Sequence, residues 1–481
     1  MGALSDLEPK EVFHYFEEIC SIPHPSYKEG KISDYCLAFA KERNLPVWQD
    51  SLKNIIIKKE ATPGYEQEEP IILQGHMDMV CEKEADCDID FDKDGLSLLI
   101  EGDYVTAKGT TLGGDDGIAV AYALAILDSD TIPHPKLEVI FTVCEEVGME
   151  GATGIDLSMI EGRRLLNLDS EEEGYMLASC AGGCSAECIL PATWEKKTGT
   201  MITITVTGLI GGHSGVEIDK GRANSNLLMG RVLLEAGKDA EFSLMSLSGG
   251  TKDNAIPRET TASVLVETGQ AEAFIKSVEV SEESISSEYS STDPDIQITT
   301  AQSEEAAADV LTKERTRQVI LLITELPNGV QRMSADIAGL VETSLNLGVA
   351  DLSTEKLSLR YSVRSSVQTS KEYMLAKMEA LVTCFGGSIV CTGNYPAWEY
   401  KKDSRLREEM IRIYKNMYGK EPVIQAIHAG LECGILSGKL EGLDCISLGP
   451  DIIGIHTTEE KLSISSTKRV WEYILEVIKC K

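Results

Sequence analysis

The sequence predicts an α/β fold: a catalytic domain on a doubly wound, mostly parallel sheet, interrupted by an inserted α+β lid domain with antiparallel sheets. Three observations predict it. Largely apolar runs at 71–74, 137–143 and 164–168 read as strands buried on both faces, and they alternate with helical segments. Near Cys184 the texture changes to alternating apolar and polar residues, the pattern of half-exposed antiparallel strands. After Tyr395 the α/β texture returns.

The elements follow in order. A helix is expected over residues 7–19, because Val12, Phe13, Phe16 and Ile19 share one face and Pro9 suits a first turn that needs no N–H. The strand at 71–74 runs into Gly75-His76-Met77-Asp78. Gly113 and Gly114 form a turn that opens an Ala-rich helix at 118–127. The strand at 137–143 ends at Cys144-Glu145-Glu146, and that at 164–168 ends at Asp169. In the insertion, strands are expected at 201–207, 261–266, 295–300, 344–349 and 357–363, with one helix starting near Arg222 and another over 312–326. The last part carries helix 405–418, strands 423–427 and 445–448, and helix 468–478. With 481 residues, too many for one ordinary core, the expected division is 1–183 and 396–481 for the catalytic domain and 184–395 for the insertion.

Composition narrows the function. A net charge of −33 argues against nucleic acid as a partner, since nothing offsets repulsion from phosphates. Hydrophobic content of 42% and charged content of 26% suit a soluble globular protein. No apolar run reaches the roughly 18–20 residues that a membrane span needs. The opening MGALSDLEPKEVF has neither a basic n-region nor an apolar h-region, so a cytoplasmic protein is expected. The 13 cysteines are scattered without a CxxC pair, as expected of free thiols in a reducing compartment.

The chemistry lies at the strand ends. His76, Asp78, Asp115, Asp116, Glu145, Glu146 and Asp169 all follow α/β strands or open the next helix, and His456 lies in a late loop. In a doubly wound sheet the carboxyl ends of the strands converge on one edge. Burying so many carboxylates together without a cation is very unfavourable, and a metal centre resolves the conflict. His76 and Asp78 are two apart, so one can bind a metal while the other orients the imidazole. Glu145 and Glu146, read as strand neighbours facing opposite ways, can divide the labour between ligand and general base. Imidazole and carboxylate ligands suit zinc, and also manganese or cobalt.

These segments resemble a known family. LQGHMDMV, GTTLGGDDGIAVAYALAIL, FTVCEEVGMEGA, LLNLDSEE, GGHSG, NAIPRE and HAGLECG are similar to the co-catalytic zinc exopeptidases that include tripeptidase, glutamate carboxypeptidase and aminoacylase. TLGGDDG, NAIPRE and HAGLECG resemble the aminoacyl-histidine dipeptidase branch. The resemblance implies two metal ions per chain, most simply zinc. His76, Asp115 and Asp169 would hold one, and Asp115, Glu146 and His456 the other, with Asp115 bridging. It further implies that Asp78 orients His76 and that Glu145 is the general base. From the lid, His213, Asn254 and Arg364 would reach the substrate, with His428 near its pocket. The chain departs from the branch at one position, carrying Asp116 where members have Asn.

The implied reaction is hydrolysis of a dipeptide, Xaa-His such as β-alanyl-histidine or a broader range. A metal-bridged hydroxide would attack while Glu145 moves the proton. The rival readings are a related tripeptidase or aminoacylase, and a non-catalytic metal-binding relative; the presence of both Glu145 and Asp78 argues against the last. A GGDDG turn is not a GxGxxG fingerprint, which excludes a dinucleotide-binding reading. A homodimer is compatible with the resemblance. The insertion is long enough for the chain to use its own His213.

Overall fold

The computed structural model of the chain describes residues 2–480. It contains two compact units. One comprises the chain up to Cys180 with Tyr400–Ala426 and the segment from Leu431 onward; the other comprises Ala181–Glu399 with Ile427–Gly430.

The first unit is built on an eight-stranded sheet. In sheet order the strands are Val47–Gln49, Ile55–Lys59, Leu137–Thr142, Ile71–His76, Arg164–Asn167, Asp444–Ser447, Tyr175–Cys180 and Val423–Ile427. The parallel part is the four strands from Leu137–Thr142 to Asp444–Ser447. Strands Val47–Gln49 and Ile55–Lys59 extend it antiparallel on one side, and Tyr175–Cys180 pairs antiparallel with Asp444–Ser447 on the other. Every residue of Ile71–His76, Leu137–Thr142 and Arg164–Asn167 is buried, which is why these segments carry no alternation.

The helix Gly114–Asp128 packs on strand Ile71–His76. It is buried from Asp116 to Leu127, so it is apolar all round, with no single apolar stripe. Tyr122 within it stacks on Trp471 at 6.0 Å and donates its hydroxyl to the carbonyl of Thr467 at 2.9 Å, which satisfies its one polar atom inside the core. The first helix is Lys10–Cys20, with Pro9 as its N-cap. A second helix, Gly30–Glu42, and the two short strands after it carry patterns too brief or mixed to stand out in the sequence.

The second unit is a nine-stranded antiparallel sheet. Its main path runs Gln297–Leu311, Trp194–Thr207, Thr260–Val266, Phe242–Gly249, Val341–Leu352, Lys356–Ser365, Gly182–Pro191 and Ser388–Tyr395; Gly329–Met333 pairs with Val341–Leu352. The strand expected at 295–300 is only the start of Gln297–Leu311, which pairs along Trp194–Thr207 as far as Leu311. The middle of that strand is exposed and holds Glu304 and Glu305, so its composition hides the strand. The helix expected near Arg222 begins at Ser225, where the Asn224 side chain accepts from the N–H groups of Asn226 and Leu227.

Candidate metal centre and candidate substrate-binding residues

His76 is the last residue of its strand, and the neighbouring parallel strands end at Thr142, Asn167 and Ser447. Gly75 lets the next helix approach this strand end. A Cβ there would stand 2.6 Å from both the Ala119 Cβ and the Asp116 carboxylate. Gly113 adopts a left-handed φ of +67°, and Asp115 and Asp116 leave helical geometry, so their carboxylates turn back toward His76. Glu145 and Glu146 lie in a turn after strand Leu137–Thr142, not on the strand itself. Their separation therefore comes from turn geometry and not from pleating.

Asp78 shapes that turn. Its carboxylate accepts the backbone N–H of Glu145 at 3.0 Å, that of Glu146 at 3.3 Å and the Ser26 hydroxyl at 2.8 Å. Its contact with His76 is made more closely by its backbone carbonyl, 3.0 Å from His76 Nδ1, than by its carboxylate at 3.5 Å. A carbonyl can only accept, so His76 Nδ1 carries a proton, and in the neutral ring the lone pair sits on Nε2. That atom faces Asp115 Oδ1 at 3.0 Å and Asp169 Oδ1 at 3.5 Å. The other oxygen of Asp115 lies 3.3 Å from His456 Nε2, which is also 2.9 Å from Glu146 Oε2.

Two sets of donors, His76 with Asp116 and Asp169, and His76 with Asp115 and Glu146, have ligand atoms within 4.8 Å of one another. Two ionised carboxylates at that separation repel by about 3–4 kcal/mol at an effective dielectric near 20. Several such pairs would rival the about 5–15 kcal/mol net stability of a domain, so the cluster requires positive charge.

Titration behaviour points the same way. Hydrogen bonds to Asp115 and Glu146 push the His456 imidazole up to about 10. Burial works against charge on His76, yet Asp169, Asp115 and Asp78 hold it well above its ordinary value. Burial opposes ionisation of Asp115, but its bonds to His456 and His76 keep it below the usual carboxylate range. Burial pushes Asp169 up to about 7 despite His76, and raises Glu145 well above its ordinary value, with Asp169 and Glu432 adding to the effect. Each carboxyl here needs a cation or a proton, and the imidazole and carboxylate donor set fits divalent zinc, cobalt or manganese.

In the second unit, strand Gly212–His213 pairs with Ala255–Ile256, which sets His213 beside the exposed Asn254. The N–H of Ser214 donates to the Asn254 carbonyl at 2.9 Å. His213 Nδ1 accepts the N–H groups of Gly215 and Val216, both at 3.2 Å. Its proton therefore sits on Nε2, the tautomer opposite to that of His76. Burial, and then Arg364, lower its pKa and keep it neutral. Arg364 lies opposite Ser344 and donates from Nη1 to the Tyr395 hydroxyl at 3.1 Å, while its buried Nε has no hydrogen-bond partner among the described residues. The Ser344 hydroxyl also bonds His428 Nε2 at 2.7 Å, and burial lowers His428 to about 3.

Within the first unit, His76, Asp78, Asp115, Glu145, Glu146, Asp169 and His456 thus converge; within the second, His213, Arg364 and His428 are close enough to affect one another's charge. Sequence reasoning missed Ser26, Glu432 and Glu460. Glu432 is fully buried and accepts from Gln74 Nε2 and Thr142 Oγ1, both at 2.6 Å, bracing the strands that lead to His76 and Glu145. Glu460 braces the Asp115 turn. The Glu432 and Glu460 links join residues hundreds of positions apart, and that of Ser26 to Asp78 spans 52, so no local pattern announces them.

A family model described as Peptidase family M20/M25/M40 matches residues 72–479. The chain is 36% identical over 481 residues to the cytosol non-specific dipeptidase of Escherichia coli (strain K12), covering 100% of this chain and 99% of that protein. The crystal structure of aminoacylhistidine dipeptidase from Vibrio alginolyticus matches with a TM-score of 0.93 at 35% identity, over 99% of this chain and 97% of that one. Aminopeptidase PepT from Bacillus cereus matches with a TM-score of 0.55 at 16% identity over 98% of both chains, a likeness of fold alone.

Proposed function

The chain belongs to peptidase family M20/M25/M40 and is a peptide-bond hydrolase, and from that premise we propose that it is a dinuclear metallo-dipeptidase. One observation carries the dinuclear reading: the two oxygens of Asp115 face different histidines, His76 at 3.0 Å and His456 at 3.3 Å. A carboxylate divided in this way suits a bridge between two cations. His76, Asp115 and Asp169 would hold one ion, and Asp115, Glu146 and His456 the other. The preferred metal is zinc. When bound, the ions supply electrophilic stabilisation and a water far more acidic than bulk water.

Glu145 is the proton carrier. It takes a proton from the attacking water and returns it to the leaving amine. Asp78 fixes Glu145 through the backbone of its turn and fixes His76 through its own carbonyl. His213, with its proton on Nε2, donates to the oxyanion. Arg364, with an unpartnered buried Nε, and Asn254 take the free carboxylate of the substrate, and His428 lines the pocket. The substrate is a dipeptide, Xaa-His such as β-alanyl-histidine being one case. This rests on the 36% identity to the Escherichia coli dipeptidase and on the Vibrio aminoacylhistidine dipeptidase match.

We place the protein in the cytoplasm, because that Escherichia coli relative is named for the cytosol and the cysteines are free. Among the described residues no helix is long and apolar enough to cross a membrane. The test is elemental analysis of metal-saturated protein together with hydrolysis of β-alanyl-histidine, other dipeptides and tripeptides. Two ions per chain and release of histidine are expected. One ion at saturation would sink the bridged centre, and faster cleavage of tripeptides would sink the substrate assignment.

A further inference from the structure

We propose that Glu460 is a positioning residue that ties the Asp115 turn to the His456 segment and so sets the spacing of two candidate ligands. The inference rests on the two-ion reading above.

Glu460 is 2% exposed and four residues beyond His456. Its Oε2 accepts the backbone N–H of Leu112 at 2.7 Å and of Gly113 at 3.1 Å. Its Oε1 accepts that of Gly114 at 2.8 Å and of Asp115 at 3.3 Å. One carboxylate thus gathers four successive N–H groups, including that of Asp115 itself. Such groups have no partner within a helix that is only beginning, and an anion satisfies them. Gly114 permits the approach, since a Cβ there would stand 3.2 Å from Oε1.

The other end of the link is equally fixed. The Glu460 N–H donates to the Thr457 carbonyl at 3.2 Å, and its own carbonyl accepts the Thr106 hydroxyl at 3.0 Å. His456 is held at a left-handed φ of +60°, and Thr457 Oγ1 closes the same turn onto the Gly454 carbonyl. The segment presenting His456 and the turn presenting Asp115 therefore share one rigid joint. Losing it lets the two ligands drift apart without removing either.

Cobalt(II) titration of metal-free wild-type protein, Glu460→Gln and Glu460→Ala, followed by absorption and equilibrium dialysis, tests this. Melting of each metal-free protein is measured beside it. Wild type is expected to take two ions. Glu460→Gln keeps one acceptor oxygen but turns an amide N–H₂ toward two N–H groups. It is expected to bind one of the two ions about 10–100-fold more weakly, with an altered cobalt spectrum, and Glu460→Ala at least as weakly. Two ions bound by Glu460→Gln with wild-type affinities and spectrum, whatever its melting temperature, would overturn the role of Glu460 alone. A wild type that takes a single ion would overturn the two-ion reading and this inference with it.

Discussion

The carboxylate of Asp78 accepts the backbone N–H of Glu145 at 3.0 Å, so the residue beside the candidate ligand His76 also holds the candidate base in place. The same carboxylate takes the N–H of Glu146. Asp78→Asn preserves size but points an amide N–H₂ at one of those donors. Its turnover should fall about 10–100-fold, the range for groups that orient metal ligands. Steady-state kinetics beside elemental analysis checks this, and unchanged kcat refutes it.

Glu145→Gln keeps the shape of the base and removes its proton affinity. Turnover should drop by roughly 10²–10⁴-fold, with metal content nearly intact. Glu146→Gln should instead lose metal. If the two variants behave the other way round, the assignment within the pair is reversed.

Neutral pH should stabilise the metal-free protein relative to mildly alkaline pH. Asp169 rises from an ordinary 3.8 to about 7, and Glu432 from 4.5 to about 7, both chiefly through burial. A carboxyl raised in the folded state contributes stability that is full below its ordinary value and lost as pH rises through its folded value. His456, raised from 6.5 to about 10 by Asp115 and Glu146, adds a loss of the same sign over a higher window. His428, lowered by burial to about 3, works in the opposite sense below about 6.5, so the melting temperature without metal should fall as pH rises from about 6.5 to about 8. Metal-saturated protein should fall less, because cations take the place of the protons. Parallel melting curves in both states contradict the expectation.

Arg364 and Asn254 should make the enzyme dependent on a free C-terminus. Amidating a good dipeptide should sharply reduce its hydrolysis. Arg364→Ala should lower kcat/KM for the free acid by roughly 10–100-fold, as expected for lost charge-assisted hydrogen bonds. Equal rates on acid and amide rule out this recognition.

His213→Ala should lower kcat by roughly 10²–10³-fold, the usual loss of one oxyanion donor, without loss of metal. Mixing it with Glu145→Gln under subunit-exchange conditions separates two routes. Recovered activity means that His213 serves a partner subunit, and continued inactivity means that each chain uses its own.

The sequence by itself determined the α/β class, the inserted α+β segment and the candidate ligands at the strand ends. Strands such as Ile71–His76 and Leu137–Thr142 are buried throughout, so they leave continuous apolar runs that end at His76 and just before Glu145. It also supplied the motifs that tie the chain to its family. Strand Gln297–Leu311 was legible only at its start, because most of its residues are exposed and polarity no longer follows the pleat. Tertiary structure alone decided how the candidate ligands are held. It placed the Glu145–Glu146 pair in a turn governed by Asp78, and gave His76 and His213 opposite tautomers through backbone partners. It also brought Glu432 to Gln74 and Glu460 to the Asp115 turn across hundreds of residues. Hydrogen bonds to main-chain N–H and C=O groups leave no trace in residue type at the far end, and the Glu432–Gln74 side-chain pair spans too much sequence to be read locally, so only the folded chain reveals them.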